Sequence, residues 1–172
     1  MRSVDVTIGV PGIAAEAVYD RVAEFARYPE LTPVVLSVTV HDLSETEETS
    51  AWEVYFRNGI LRWTESDHFD RPALTITFSQ LDGDFEVFEG TWRIAAEGSE
   101  VRVGFSASFD FGIPSLAGIL EPVAERVFKE TIAQVVLGLF PSGAVLGDQA
   151  LARTVGGGPA APLAPAQSWQ AG

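Results

Sequence analysis

Apolar and polar residues alternate with a period of two through most of the first 111 positions, and beyond Pro114 the period becomes that of a helix. Val4, Val6, Ile8 and Val10 alternate with Asp5, Thr7 and Gly9, which predicts a half-buried opening strand broken by Pro11-Gly12. Ala15, Val18, Val22 and Phe25 then recur at helical spacing to about residue 26. Tyr28-Pro29-Glu30-Leu31 interrupts that helix, because a residue before proline is pushed away from helical backbone angles. A short second helical turn or loop, ending near Pro33, is expected next.

About six antiparallel strands follow. Their inward sets are Leu36, Val38 and Val40; Trp52, Val54 and Phe56; Leu61, Trp63 and Phe69; Leu74, Ile76 and Phe78; Phe88, Gly90, Trp92 and Ile94; and Val101 through Phe111. The acidic stretch from Asp42 to Thr49 reads as a solvated loop or hairpin end, and Asn58-Gly59 predicts a type I′ hairpin. From Ser115 to Phe140, Leu120, Ala124, Val127, Phe128, Thr131, Val135 and Leu139 share one stripe, with Glu125, Arg126, Lys129, Glu130 and Gln134 opposite. Pro122 suits a first-turn position, so the main helix is expected to start near Glu121. Beyond Pro141 the chain is rich in Gly, Ala and Pro, which predicts one domain over residues 1–140 and a largely disordered tail over 141–172.

A sheet with one apolar face and a long helix with one apolar stripe make an α+β fold. The economical packing is a curved antiparallel sheet wrapped around the C-terminal helix, with two short helices after the first strand. A gap between sheet and helix is a natural ligand cavity.

Within that pattern, one segment is anomalous. Glu65 and Asp67 have the parity of Leu61, Trp63 and Phe69, whereas Arg62, Thr64, Ser66, His68 and Asp70 occupy the wet face. Burying an ionised carboxylate is costly unless it is paired, hydrated or protonated. The pair is therefore the candidate for acid–base chemistry, one carboxyl removing a proton from an activated methylene or enol and the other serving a carbonyl. The structural alternative puts Asp67 at the wet strand end and pairs Glu65 with an arginine. Trp52, Trp63, Trp92 and Phe88 face inward beside the pair and are candidates to contact a planar ligand, or else plain core. Tyr28, at a cavity mouth or as a staple between helix and sheet, and Gln80, on the parity of Ile76 and Phe78, complete the candidate site.

Composition narrows the chemistry. With 24 acidic against 11 basic residues the net charge is -13, which disfavours nucleic acid and anionic membrane surfaces as partners. There is no cysteine, which removes disulfides and thiolate chemistry, and two isolated histidines offer no support for a zinc site or a hydrolase triad. Neither a secretory h-region nor a membrane-length apolar run is visible, so a soluble cytoplasmic protein, monomer or homodimer, is expected.

The order of elements resembles the START-like helix-grip fold, and within it the polyketide cyclase and coenzyme Q-binding branch. The segments that carry the likeness are Tyr28-Pro29-Glu30-Leu31, Leu61-Arg62-Trp63-Thr64-Glu65, Gly83-Asp84-Phe85 with Gly90-Thr91-Trp92, and Phe109-Asp110-Phe111, together spanning roughly residues 3 to 140. The resemblance implies a deep cavity for a hydrophobic small molecule and no cofactor or metal. In the bacterial aromatase/cyclases such a cavity folds a poly-β-ketone for aldol closure and dehydration, with transient contact to a polyketide synthase or acyl carrier protein. In the quinone-binding relatives it carries a lipid. Aromatase/cyclases of the tetracenomycin type place an arginine and a tyrosine at positions that align with Asp67 and Val35 here. Their mechanism does not transfer, and a cyclase on this chain uses other groups.

Overall fold

The computed structural model describes residues 1–156. The expected disorder of the tail lies, for residues 157–172, outside the described residues. The opening strand β1 (Arg2–Pro11) leads into α1 (Ala15–Val22). A 3-10 turn over Phe25–Arg27 follows, and then α2 (Tyr28–Leu31). Six strands then succeed one another: β2 (Val35–Asp42), β3 (Glu47–Phe56), β4 (Gly59–Asp70), β5 (Thr75–Gly83), β6 (Val87–Glu97) and β7 (Glu100–Asp110). The long helix α3 (Ala117–Leu139) is followed by β8 (Ala144–Leu146) and α4 (Gln149–Val155). The eight strands form one antiparallel sheet in the order β2-β3-β4-β5-β6-β7-β1-β8. This is the expected helix-grip architecture.

Several boundaries differ from the sequence expectation for physical reasons. Tyr-Pro-Glu-Leu does not merely break a helix: Pro29 takes the second position of α2, where its missing N–H has no intrahelical partner to lose. The helix α3 starts at Ala117, not near Glu121, because Pro114 opens a 3-10 turn that runs into it. Pro122 thus lies inside α3, and since Gly118 and Pro122 are both exposed, the carbonyl left without an N–H partner is open to water. The hairpin between β3 and β4 turns through Arg57-Asn58, one residue earlier than expected. Phe56 pairs with Gly59, and only Arg57 of the two turn residues has positive φ, so the turn is not type I′.

The ordered fold also extends past residue 140. Strand β8 pairs with Thr7–Gly9 of β1, and Leu151 of α4 is buried in the core. Asp148 caps α4 by accepting from the Leu151 N–H at 3.0 Å and meets Lys129 of α3 at 3.3 Å. Helices α1, α2 and α4 also pack against α3. Beyond the expected stripe, Ala133 and Val136 are buried, Ile132 is turned to the sheet side, and Gln134 accepts a hydrogen bond from Thr32 Oγ1 at 2.6 Å instead of facing water.

Two glycines shape the sheet beside the interior. Opposite the step from Thr64 to Glu65, Leu81 has no partner on β4, and this bulge ends at Gly83, whose φ is +149°. A Cβ on Gly83 would lie 2.5 Å from the Trp63 Cβ, so only glycine lets the two strands close there. On β6, Gly90 leaves room for the Phe78 ring, whose Cζ would be 2.5 Å from an added Cβ.

Candidate functional site

Between the sheet and α3 lies a small cavity of about 40 Å³ whose surface is almost wholly apolar. That is room for about one water molecule. Trp52 and Trp63, cross-strand partners on β3 and β4, stack with centroids 5.8 Å apart and planes 3° from parallel. Phe88 sits at the centre of the aromatic filling, against Phe85 at 4.8 Å, Trp63 at 5.1 Å, Phe128 at 5.3 Å and Phe78 at 5.4 Å. Trp92 packs edge-on to Phe105 at 4.9 Å. Trp52, Trp63, Trp92, Phe88 and the ring of Tyr28 all line the cavity, as does Val35.

Among the described residues, Glu65 is the one carboxyl on the cavity wall. It is 3% exposed, Asp67 is fully buried, and a third carboxyl, Glu48 of β3, is 8% exposed. Glu48 is the direct cross-strand partner of Asp67. The Trp63 Nε1–H donates to Glu65 Oε1 at 2.7 Å. Ser50 Oγ donates to Asp67 Oδ2 at 2.5 Å while accepting from Trp52 Nε1–H at 2.8 Å. Asp67 lies between Glu65 on its own strand face and Glu48 across the sheet, in the middle of a row that runs from cavity wall to strand end, and each neighbour influences its ionisation.

Among the described residues, no cation pairs with any of the three. None of the ion pairs among the described residues reaches Glu48, Glu65 or Asp67, so the arginine-paired alternative does not hold. Burial is therefore the largest influence on each. It raises Glu65 well above the usual carboxylate range, reinforced by its neighbour Asp67. Glu48 is pushed up to about 8 by burial and then by the charge of Asp67. Asp67 is also raised by burial, but hydrogen bonds from Glu65, Ser50 and Glu48 pull it back down. Hydrogen bonding thus favours the ionised form at Asp67, while burial favours the protonated form at Glu65 and Glu48. Glu48 Oε2 and Asp67 Oδ1 are both buried with no hydrogen-bond partner among the described residues.

Two expected roles change. Tyr28 does not present its hydroxyl to a cavity mouth; it donates to the Val22 carbonyl at 2.6 Å, closing the end of α1, and only its ring faces inward. Gln80 does not orient a ligand either. Its Nε2 donates to the Phe85 carbonyl at 2.7 Å and its Oε1 accepts from the Phe85 N–H at 3.2 Å, so both ends of the amide hold the β5–β6 turn. Conversely, the acidic stretch read as solvated includes the buried Glu48, and Ser50 belongs to the same network. Extending the parity of Trp52 and Val54 backwards along β3 would have reached both. Thr131 of α3 is a further polar member of the cavity wall, with a buried Oγ1 that has no partner.

The family model described as "Polyketide cyclase / dehydrase and lipid transport" matches residues 12–136. No curated protein matches the sequence significantly. Among solved structures, the chain is similar to TTHA0849 of Thermus thermophilus, with a TM-score of 0.72 at 25% identity over 80% of this chain and 94% of that one. It is also similar in fold to the Zhui aromatase/cyclase of a Streptomyces species (TM-score 0.65, 19% identity, 80% and 92% covered). A START superfamily protein of Mycobacterium smegmatis gives a TM-score of 0.63 at 17% identity, with 80% and 93% covered.

Proposed function

Since the chain belongs to the polyketide cyclase / dehydrase and lipid transport family, we propose that it is a cofactor-independent cyclase or aromatase acting on a poly-β-ketone or a related polyketide intermediate. The observation that carries this reading is Glu65, a buried carboxyl on the wall of an aromatic cavity, in a row with two further buried carboxyls, whose burial favours its protonated form. A methylene between two carbonyls is acidic enough for a carboxylate of raised pKa to deprotonate. With its own proton passed to Asp67, Glu65 is such a base. It takes the methylene proton, the resulting enolate carbon attacks a second carbonyl carbon, and the new C–C bond forms as that carbonyl becomes an alkoxide. Glu65 returns the proton to the alkoxide oxygen, giving the aldol. Removal of a second α-proton and delivery of a proton to the hydroxyl expels water and leaves the conjugated ring. The tryptophan faces hold the flat product.

Asp67 acts through Glu65, since it does not reach the cavity wall. Glu65→Gln should lower conversion of a synthetic poly-β-ketone thioester by roughly a hundredfold or more, the usual scale of a lost general acid–base. Asp67→Asn should lower it less and move its pH profile. Both variants should still bind the product. Cyclisation at the wild-type rate in the double variant would end the acid–base proposal. The almost wholly apolar cavity wall is what favours a second reading, a carrier for a quinone, lipid or polyketide product. That reading gains if the double variant is unchanged and native mass spectrometry finds such a molecule bound.

A further inference from the structure

Thr131 is the odd residue on the helix side of the cavity. A threonine inside a helix commonly returns its hydroxyl to the carbonyl one turn earlier. Thr131 does not: its Oγ1 is buried, makes no hydrogen bond, and belongs to a side chain that lines the cavity. The other polar groups around the wall are largely spoken for. Tyr28 donates to Val22, Trp52 to Ser50 and Trp63 to Glu65. Glu65 on the sheet and Thr131 on the helix therefore present hydrogen-bonding groups from the two walls of one aromatic slot.

We infer that Thr131 is a specificity-determining residue, which selects flat conjugated ligands bearing one oxygen function for Glu65 and a second for its own hydroxyl. This deepens the cyclase reading and rests on the same cavity. A hydrocarbon ring or a fatty acyl chain leaves the Thr131 hydroxyl buried and unpaired. A keto or hydroxy group at the second position gives it a partner, and sites built around such a group reject analogues that lack it. An intermediate that keeps oxygen at both ends, as a folded poly-β-ketone does, meets the requirement.

Calorimetric titration with two probes of the same ring system tests the inference: β-naphthol and a naphthalenediol with its hydroxyls on opposite rings. The wild-type protein should bind the diol roughly fivefold more tightly than β-naphthol, on the scale of one net hydrogen bond. Thr131→Val, which keeps shape and removes the hydroxyl, should erase that advantage while leaving β-naphthol affinity unchanged. Thr131→Ser should restore it. A diol advantage that survives Thr131→Val, or no advantage in the wild type, overturns the role of Thr131 and leaves the cyclase reading standing on Glu65. Failure of both naphthols to bind overturns the inference together with the cavity as a ligand site.

Discussion

At the scale of single residues, the decisive feature is a row of three carboxyls with no cation. A carboxyl whose pKa is raised on folding binds its proton more tightly in the native state than in the unfolded chain. The stability it contributes is present in full below the unfolded value and is lost as pH climbs toward the folded one. For Glu48 that window runs from the ordinary 4.5 to about 8. Thermal denaturation should thus show the melting temperature falling across this window, and Glu48→Gln, which stays neutral and still donates, should flatten the fall. An equal fall in the variant would place the titration elsewhere. Strand parity alone found Glu65 and Asp67. It missed Glu48 and Ser50 because a run of acids and hydroxyls between Asp42 and Thr49 has the composition of a solvated loop. Carrying the alternation of Trp52 and Val54 back into that run reaches both, and Glu48 is the cross-strand partner of Asp67 on the same face.

At the scale of elements, alternation located all the strands from β1 to β7, and helical spacing located α1 and α3, because each buries one face and so writes its period into the chain. The eighth strand and α4 left no such mark. β8 has three residues, too few to establish a period, and it sits in a stretch whose Gly, Ala and Pro content reads as tail. What holds it is tertiary: pairing to β1, the Asp148 cap and the burial of Leu151. Leu151→Ala should therefore cost about 2–4 kcal/mol in urea unfolding, the range for a buried leucine. A cost near zero would mean that α4 rests on the fold without stabilising it. Gln80 teaches the complementary lesson. Its parity does lean it inward, yet its amide is consumed by the Phe85 backbone of the adjoining turn, a partner that parity cannot reveal.

At the scale of the whole molecule, the sheet and α3 enclose a space that their own rings nearly fill. A gap between them followed from the fold, but its volume did not, since how far Phe85, Phe88 and Phe128 reach depends on rotamers and not on spacing. A ligand of two fused rings is several times larger than the cavity, so binding requires some of these rings to move. Phe88, central to the stacks, is the natural one to test. Phe88→Ala should lower stability by about 3–5 kcal/mol and speed the uptake of β-naphthol in stopped-flow mixing. Loss of stability without faster uptake would show that entry is gated elsewhere.

The two indoles that reach the acid row have one more consequence. Trp63 donates its ring proton to Glu65, and Trp52 reaches Asp67 through Ser50. An excited indole responds to the charge on the atom it is bonded to, so the ionisation of the interior is coupled to the ultraviolet emission of the native chain. Tryptophan emission should therefore change as the acid row ionises, and a fluorescence titration reads it with no label attached.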